Sequence, residues 1–141
     1  MSVLEIFHSE SVDDTVKIAE ELAPRFKPND VILLEGNLGS GKTFLVKEIC
    51  KILNTEDEAS SPSFAILYQY SGPVPVNHFD LYRIKDIREL DNLGWEEHLT
   101  RGAITFIEWP EILESQLIDY YKINITINDK YREFIFSLKT D

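Results

Sequence analysis

The chain has 141 residues, enough for one hydrophobic core and too few for a second. Its 14 basic and 25 acidic residues leave a formal charge of −11. With no cluster of basic residues, that surface disfavours direct capture of DNA or RNA by this chain alone. The single cysteine, Cys50, excludes an internal disulfide, and no apolar run approaches the ~20 residues that span a bilayer. No charged-then-apolar leader opens the sequence, so a cytoplasmic protein without membrane contact is expected.

Residues 2–7 alternate as a first strand, and 9–14 carry helix-start chemistry with Ser11 and Asp14 spaced as a capping box. Val16, Ile18, Ala19 and Leu22 form the stripe that this helix buries, and Pro24 and then Pro28-Asn29-Asp30 end it. Val31-Ile32-Leu33-Leu34 reads as a strand buried on both faces. A second helix begins at about Thr43 and turns Phe44, Leu45, Ile49, Ile52 and Leu53 inward, with Cys50 in the core. An acidic loop follows at 54–58.

Residues 64–70 and 74–80 are strand-like runs joined by Ser71-Gly72-Pro73. That turn is too short for a helical crossover, so the two should pair antiparallel. Short helical patterns at 84–93 and 95–99 flank Gly94, and residues 103–108 make another buried strand. Pro110 sits at a first helical position with 111–117 behind it. Residues 121–127 and 131–138 close the chain as a hairpin around Asn128-Asp129-Lys130.

Between the strand at 31–35 and the second helix lies Gly36-Asn37-Leu38-Gly39-Ser40-Gly41-Lys42-Thr43, which satisfies G-x-x-x-x-G-K-[ST]. Glycines let the backbone curl until successive N–H groups point at one anion, and the helix that follows adds its positive end. Lys42 reaches β- and γ-phosphates as a point charge, and the Thr43 hydroxyl suits a Mg²⁺ that bridges them. The expected architecture is a single α/β, P-loop NTPase-like domain over residues 1–141. Its mixed, mostly parallel sheet should carry helices on both faces and antiparallel hairpins.

Such a site needs a carboxylate at the end of a neighbouring strand, and two stand ready. Glu108 ends the run 103–108 and is assigned as metal or metal-water ligand. Asp80 ends the run 74–80 and either shares the ion or orients the attacking water. Capping of the following segment is the structural alternative for each. In Ser60-Ser61-Pro62-Ser63-Phe64, Pro62 holds Ser61 extended and leaves Ser63 near the site, as a γ-phosphate sensor or as an ordinary turn residue. Trp109 either stacks on a base or packs at the sheet rim. His78 shares a face with Asp80, but no third ligand is near it, which argues against a metal role. Arg83 and Arg88 read as a solvated face with Asp86 and Glu89 as partners, with neutralisation of phosphate as the other option.

Taken together, the loop at 36–43, Ser61-Pro62-Ser63-Phe64, His78-Phe79-Asp80-Leu81-Tyr82-Arg83 and Ile107-Glu108-Trp109-Pro110 make the chain resemble the TsaE (YjeE) family over nearly its whole length. The resemblance implies a small ATPase, weak alone, that works on the TsaB–TsaD pair in threonylcarbamoyl modification of adenosine 37 in tRNA. It implies that tRNA is met only through that complex, and that ATP and Mg²⁺ are the cofactors. It also implies that Lys42 holds phosphate, that Thr43 and Glu108 serve Mg²⁺, and that the Ser-Pro loop moves with nucleotide state. Asn37 stands where the family usually has aspartate, Ser40 where it has alanine and Ser63 where it has threonine. A small-molecule kinase shares the loop but needs an arginine-bearing lid, and Arg25, Arg83, Arg88, Arg101 and Arg132 are scattered. A GTPase-type switch lacks its N-K-x-D element here, which favours adenine.

Overall fold

Seven runs rich in β-branched and aromatic residues pair into one sheet in a computed structural model that describes residues 1–56 and 66–140. They are β1 (Ser2–Ser9), β2 (Val31–Glu35), β3 (Leu67–Tyr70), β4 (Val76–Asp80), β5 (Ile104–Glu108), β6 (Tyr120–Ile127) and β7 (Arg132–Lys139). The spatial order is β1-β7-β6-β2-β5-β4-β3. Strands β6, β2, β5 and β4 run parallel and form the centre, and β7, β1 and β3 add antiparallel edges. Both expected hairpins, β3–β4 and β6–β7, are present.

The central strands are apolar on both sides because both sides are covered. Ile32 and Leu34 of β2 meet Phe106 of β5 in a core closed by α1 (Val12–Leu22) and α2 (Lys42–Ile52). Leu33 and Ile107 point the other way, into a second core with Phe79, Leu113 and the helical turns α3 (Arg88–Asp91) and α4 (Trp95–His98), which supply Leu90 and Trp95. Phe26, in the segment after α1, sets its ring edge-on to Phe106 at 6.0 Å between centroids.

Several boundaries differ from the sequence expectation, each for a local reason. Strand β1 continues to Ser9, whose buried hydroxyl meets the Thr15 hydroxyl at 2.7 Å, so α1 starts only after Ser11. Ser11 Oγ accepts from Asp14 N at 3.0 Å as a cap, but the Asp14 carboxylate accepts from Glu10 N at 2.9 Å, one residue before the position a capping box requires. Thr15 is buried in the stripe, with Val16 only half-buried. Phe44 is 38% exposed, a correction to its expected inward place. The pattern at 84–93 yields helix only over Arg88–Asp91, because the Glu89 carboxylate takes the N–H groups of Lys85 and Asp86 and Asp86 takes that of Arg88. The segment 111–117 is not one helix: 3₁₀ turns at Pro110–Ile112 and Glu114–Gln116 break at Leu113, which is buried in the second core.

Phe106→Ala should cost about 3–5 kcal/mol in denaturant unfolding, because that ring is fully enclosed between β5 and the α1–α2 layer. Phe44→Ala should stay within about 0.5 kcal/mol of the parent, as a half-exposed side chain does. Equal losses at the two positions would contradict the core assignment.

Candidate active site

The loop between β2 and α2 takes the shape its glycines permit. Gly41, the residue before α2, has φ 106° and ψ 15°, a left-handed conformation that a side chain would strain. At Gly36 the limit is space: a Cβ there would lie 2.7 Å from Ser40 Oγ and 2.8 Å from the Ile125 carbonyl of β6. Ser40 N donates to Asn37 O at 3.0 Å, closing the turn. The Ser40 hydroxyl is buried with no partner among the described residues, an orphan polar atom in a loop otherwise suited to an anion.

Lys42 folds back over this loop and is only 5% exposed. Its ammonium donates to the carbonyl oxygens of Gly36 and, at 3.4 Å, Asn37, and sits 3.9 Å from the centroid of the Trp109 ring. Burial pulls its pKa below the ordinary lysine value, and the carboxylates of Glu108, Asp80 and Glu111 partly offset that. The charge is thus held on groups that a phosphate oxygen could replace with better compensation.

Thr43, in the first turn of α2, lies opposite the end of β5, and its hydroxyl shares a hydrogen between Glu108 Oε1 at 3.0 Å and Oε2 at 2.9 Å. Parallel register produces this meeting, because Leu34 pairs with Glu108 in β2–β5 and Asp80 pairs with Glu108 in β4–β5. Glu108 is buried, and its Oε2 also meets His78 Nε2 at 2.5 Å. His78 is the residue that sequence reasoning undervalued. The alternation that put it on the face of Asp80 also puts it on the face of Glu108, once β4 and β5 are known to be neighbours.

Asp80 remains half-buried and accepts from Tyr82 N at 3.1 Å, so it does cap the turn after β4. It also lines a cavity of about 290 Å³ together with Ser40, Lys42, Thr43, Glu108 and Trp109. Asn37 lies outside this cavity and lines a neighbouring one with Ser40 and Trp109, whereas Leu38, Gly39 and Gly41 belong to the first. Trp109 adopts φ 58° and ψ 57°, which carries its ring over Lys42 and to 4.8 Å from the Tyr82 ring. Ser63 and the rest of Ser60-Ser61-Pro62-Ser63-Phe64 lie outside the described residues.

Arg88 is bound to Asp86 at 2.6 Å on the surface, in keeping with a solvated face. Arg132, which the sequence left among scattered arginines, reaches the loop from β7, with Nη2 donating to Gly39 O at 3.4 Å. Among the described residues no group of three or more His, Cys, Asp or Glu gathers to enclose a metal. One hydroxyl and one carboxylate suit Mg²⁺, a hard ion that keeps several waters and takes few protein ligands.

Comparison with known proteins gives one family. The family model described as "Threonylcarbamoyl adenosine biosynthesis protein TsaE" matches residues 9–134. The TsaE protein of Rickettsia conorii is 43% identical over 109 residues, which are 76% of this chain and 62% of that relative, so the match leaves more than a third of the relative uncovered. The TsaE protein of Bacillus subtilis is 35% identical over 129 residues, 89% of this chain and 80% of the relative. A crystal structure of Bacillus subtilis YdiB superposes with a TM-score of 0.77 at 28% identity, covering 100% of this chain and 89% of that one.

Because folding makes Lys42 easier to deprotonate, its charge costs the folded state stability below the folded pKa. That cost fades as pH rises through the folded pKa toward the unfolded value. Lys42→Met should therefore unfold at a higher temperature than the parent at pH 7, with the gap narrowing toward about pH 10. Thermal unfolding of the pair across that range checks the sign. A parent more stable than Lys42→Met at pH 7 would contradict it.

Proposed function

The chain belongs to the TsaE family, and on that premise we propose that it is a cytoplasmic ATPase required for threonylcarbamoyl modification of adenosine 37 in tRNA. In this reading it binds MgATP, hydrolyses it weakly alone, and acts on the TsaB–TsaD complex. The observation that carries the proposal is the contact of the Thr43 hydroxyl with Glu108 across the end of the glycine loop, with Lys42 beside it.

Each residue then has a task set by its surroundings. Apart from Ser40 N, which closes the turn on Asn37 O, the backbone N–H groups of the glycine loop and the start of α2 hold the phosphates, and Ser40 Oγ gains the partner it lacks. Lys42 leaves its carbonyl partners for phosphate oxygens. Mg²⁺, when bound, would supply charge neutralisation at the phosphates. Thr43 and Glu108 would hold it, and His78 would keep the Glu108 carboxylate from rotating away. Asp80, at the same sheet edge, would accept a hydrogen bond from the water that attacks the γ-phosphorus in line, giving ADP and phosphate. Trp109 covers the phosphate end.

A kinase built on the same loop would need arginines free to close over a second substrate. Arg25, Arg88 and Arg101 instead pair with Glu5, Asp86 and Glu97 at separate places on the surface, and Arg132 reaches the loop from β7 alone, so the described arginines form no lid-like cluster, which favours water as acceptor. The charge of −11 fits a protein that meets tRNA through its partners and not by its own surface.

Lys42→Ala should fold yet lose the rise in unfolding temperature that MgATP gives the parent, and an equal rise in the variant would refute the site. Glu108→Ala should retain nucleotide binding while hydrolysis falls about a hundredfold. Unchanged turnover in that variant would transfer the metal role to Asp80.

A further inference from the structure

We infer that a second cavity, behind the Thr43–Glu108 pair and between α2 and the strands β3 and β4, is an anion site that takes the inorganic phosphate released by hydrolysis. The inference rests on the proposed function, since it concerns a product of that reaction. Pairing of Tyr68 with His78 and of Tyr70 with Val76 turns both tyrosines to the face of the sheet that carries His78, Asp80 and Glu108. That face looks onto α2, where Thr43 and Lys47 stand one turn apart on the same side of the helix. The space between them measures about 200 Å³.

Thr43, Asp80 and Glu108 line this cavity and the cavity of the glycine loop alike, so the two spaces meet where the γ-phosphate would be cleaved. Lys47 and Tyr70 continue into a third cavity of about 490 Å³ toward the last turn of α2, where Lys51 lies. The three spaces follow one flank of α2 from the site to solvent. Among the described residues Lys47 forms no ion pair, and the Tyr68 and Tyr70 hydroxyls form no hydrogen bond. An ammonium and two phenols without protein partners around one space are suited to a tetrahedral anion. Burial holds the Tyr70 phenol above its ordinary pKa, which keeps it a donor. Charge gives the path a direction. Asp80 and Glu108 stand at its inner end and the exposed Lys47 at its outer one. With Glu108 turned to the ion in the proposed reading, Asp80 repels a phosphate dianion and Lys47 attracts it outward. The front mouth of the first cavity, rimmed by the exposed Leu38, Phe44 and Tyr82, offers an anion no positive charge.

The test titrates inorganic phosphate into the full chain saturated with MgADP and reads the heat of binding. Lys47→Met keeps the apolar stem and removes the charge, so it should bind phosphate at least about tenfold more weakly and MgADP as the parent does. Crystals of the parent grown with MgADP and tungstate, a heavier tetrahedral dianion, should place a tungstate oxygen within hydrogen-bonding reach of Lys47 Nζ. That readout stands even if the variant folds poorly. Equal phosphate affinity in variant and parent, or tungstate only between Lys42 and Thr43, would overturn the inference while leaving the ATPase reading in place. So would a parent that binds MgADP and no phosphate. A loss of MgADP affinity as large as the loss for phosphate would assign Lys47 to the nucleotide itself and overturn it too. A parent that binds no MgADP would refute the ATPase reading and this inference with it.

Discussion

The parallel pairing of β4 and β5 with β2 is the constraint on which the site depends. Three strands running the same way end at one edge, and their register sets Asp80 beside Glu108 and Glu108 beside Leu34, two residues before the loop begins. Had β4 run antiparallel to β5, Asp80 would lie at the far edge of the sheet and the loop would face one carboxylate. Helix α2, entered directly from the glycine loop, then sets its positive end at the same edge. Glycines at 36 and 41 are what let the chain leave β2 and enter α2 in so little length.

Polar groups buried at that edge are satisfied by one another. Glu108 is enclosed, and its carboxylate oxygens are met by the Thr43 hydroxyl and the His78 ring, so removing either leaves a carboxylate with too few partners. Lys42 has only carbonyl oxygens and an aromatic face, weaker compensation for a desolvated ammonium. The unpartnered Ser40 hydroxyl is the same kind of debt. An anion on the loop would relieve the desolvation of Lys42 and Ser40, and in the proposed reading that differential is what nucleotide would use to act on conformation.

Much of this was legible in the sequence where the signal is local. The glycine loop, the doubly buried run 31–34, the short turns of both hairpins and the acidic strand ends at Asp80 and Glu108 each carry their own chemistry in adjacent residues. Contacts set by strand order were not legible. His78 meets Glu108 from thirty residues away, and Arg132 reaches Gly39 from β7 across an intervening strand, so neither could be seen before the sheet was assembled. Short helices were over-read for another reason: Asp86 and Glu89 can bond to the backbone N–H groups that would otherwise face a helix, and apolar spacing alone does not reveal that competition. Phe44 fits the helical period, yet it lies where α2 emerges from the core.

On the proposed reading, slow turnover of nucleotide would suit a component whose hydrolysis is timed by a partner, with membership of the TsaE family supplying the context. The most direct test of that account is MgATP hydrolysis by the purified chain, alone and with the TsaB–TsaD pair at fixed salt. The account predicts slow release of inorganic phosphate that rises sharply when the pair is added. A rate indifferent to the pair, or phosphate recovered on a small acceptor instead of in solution, would contradict it.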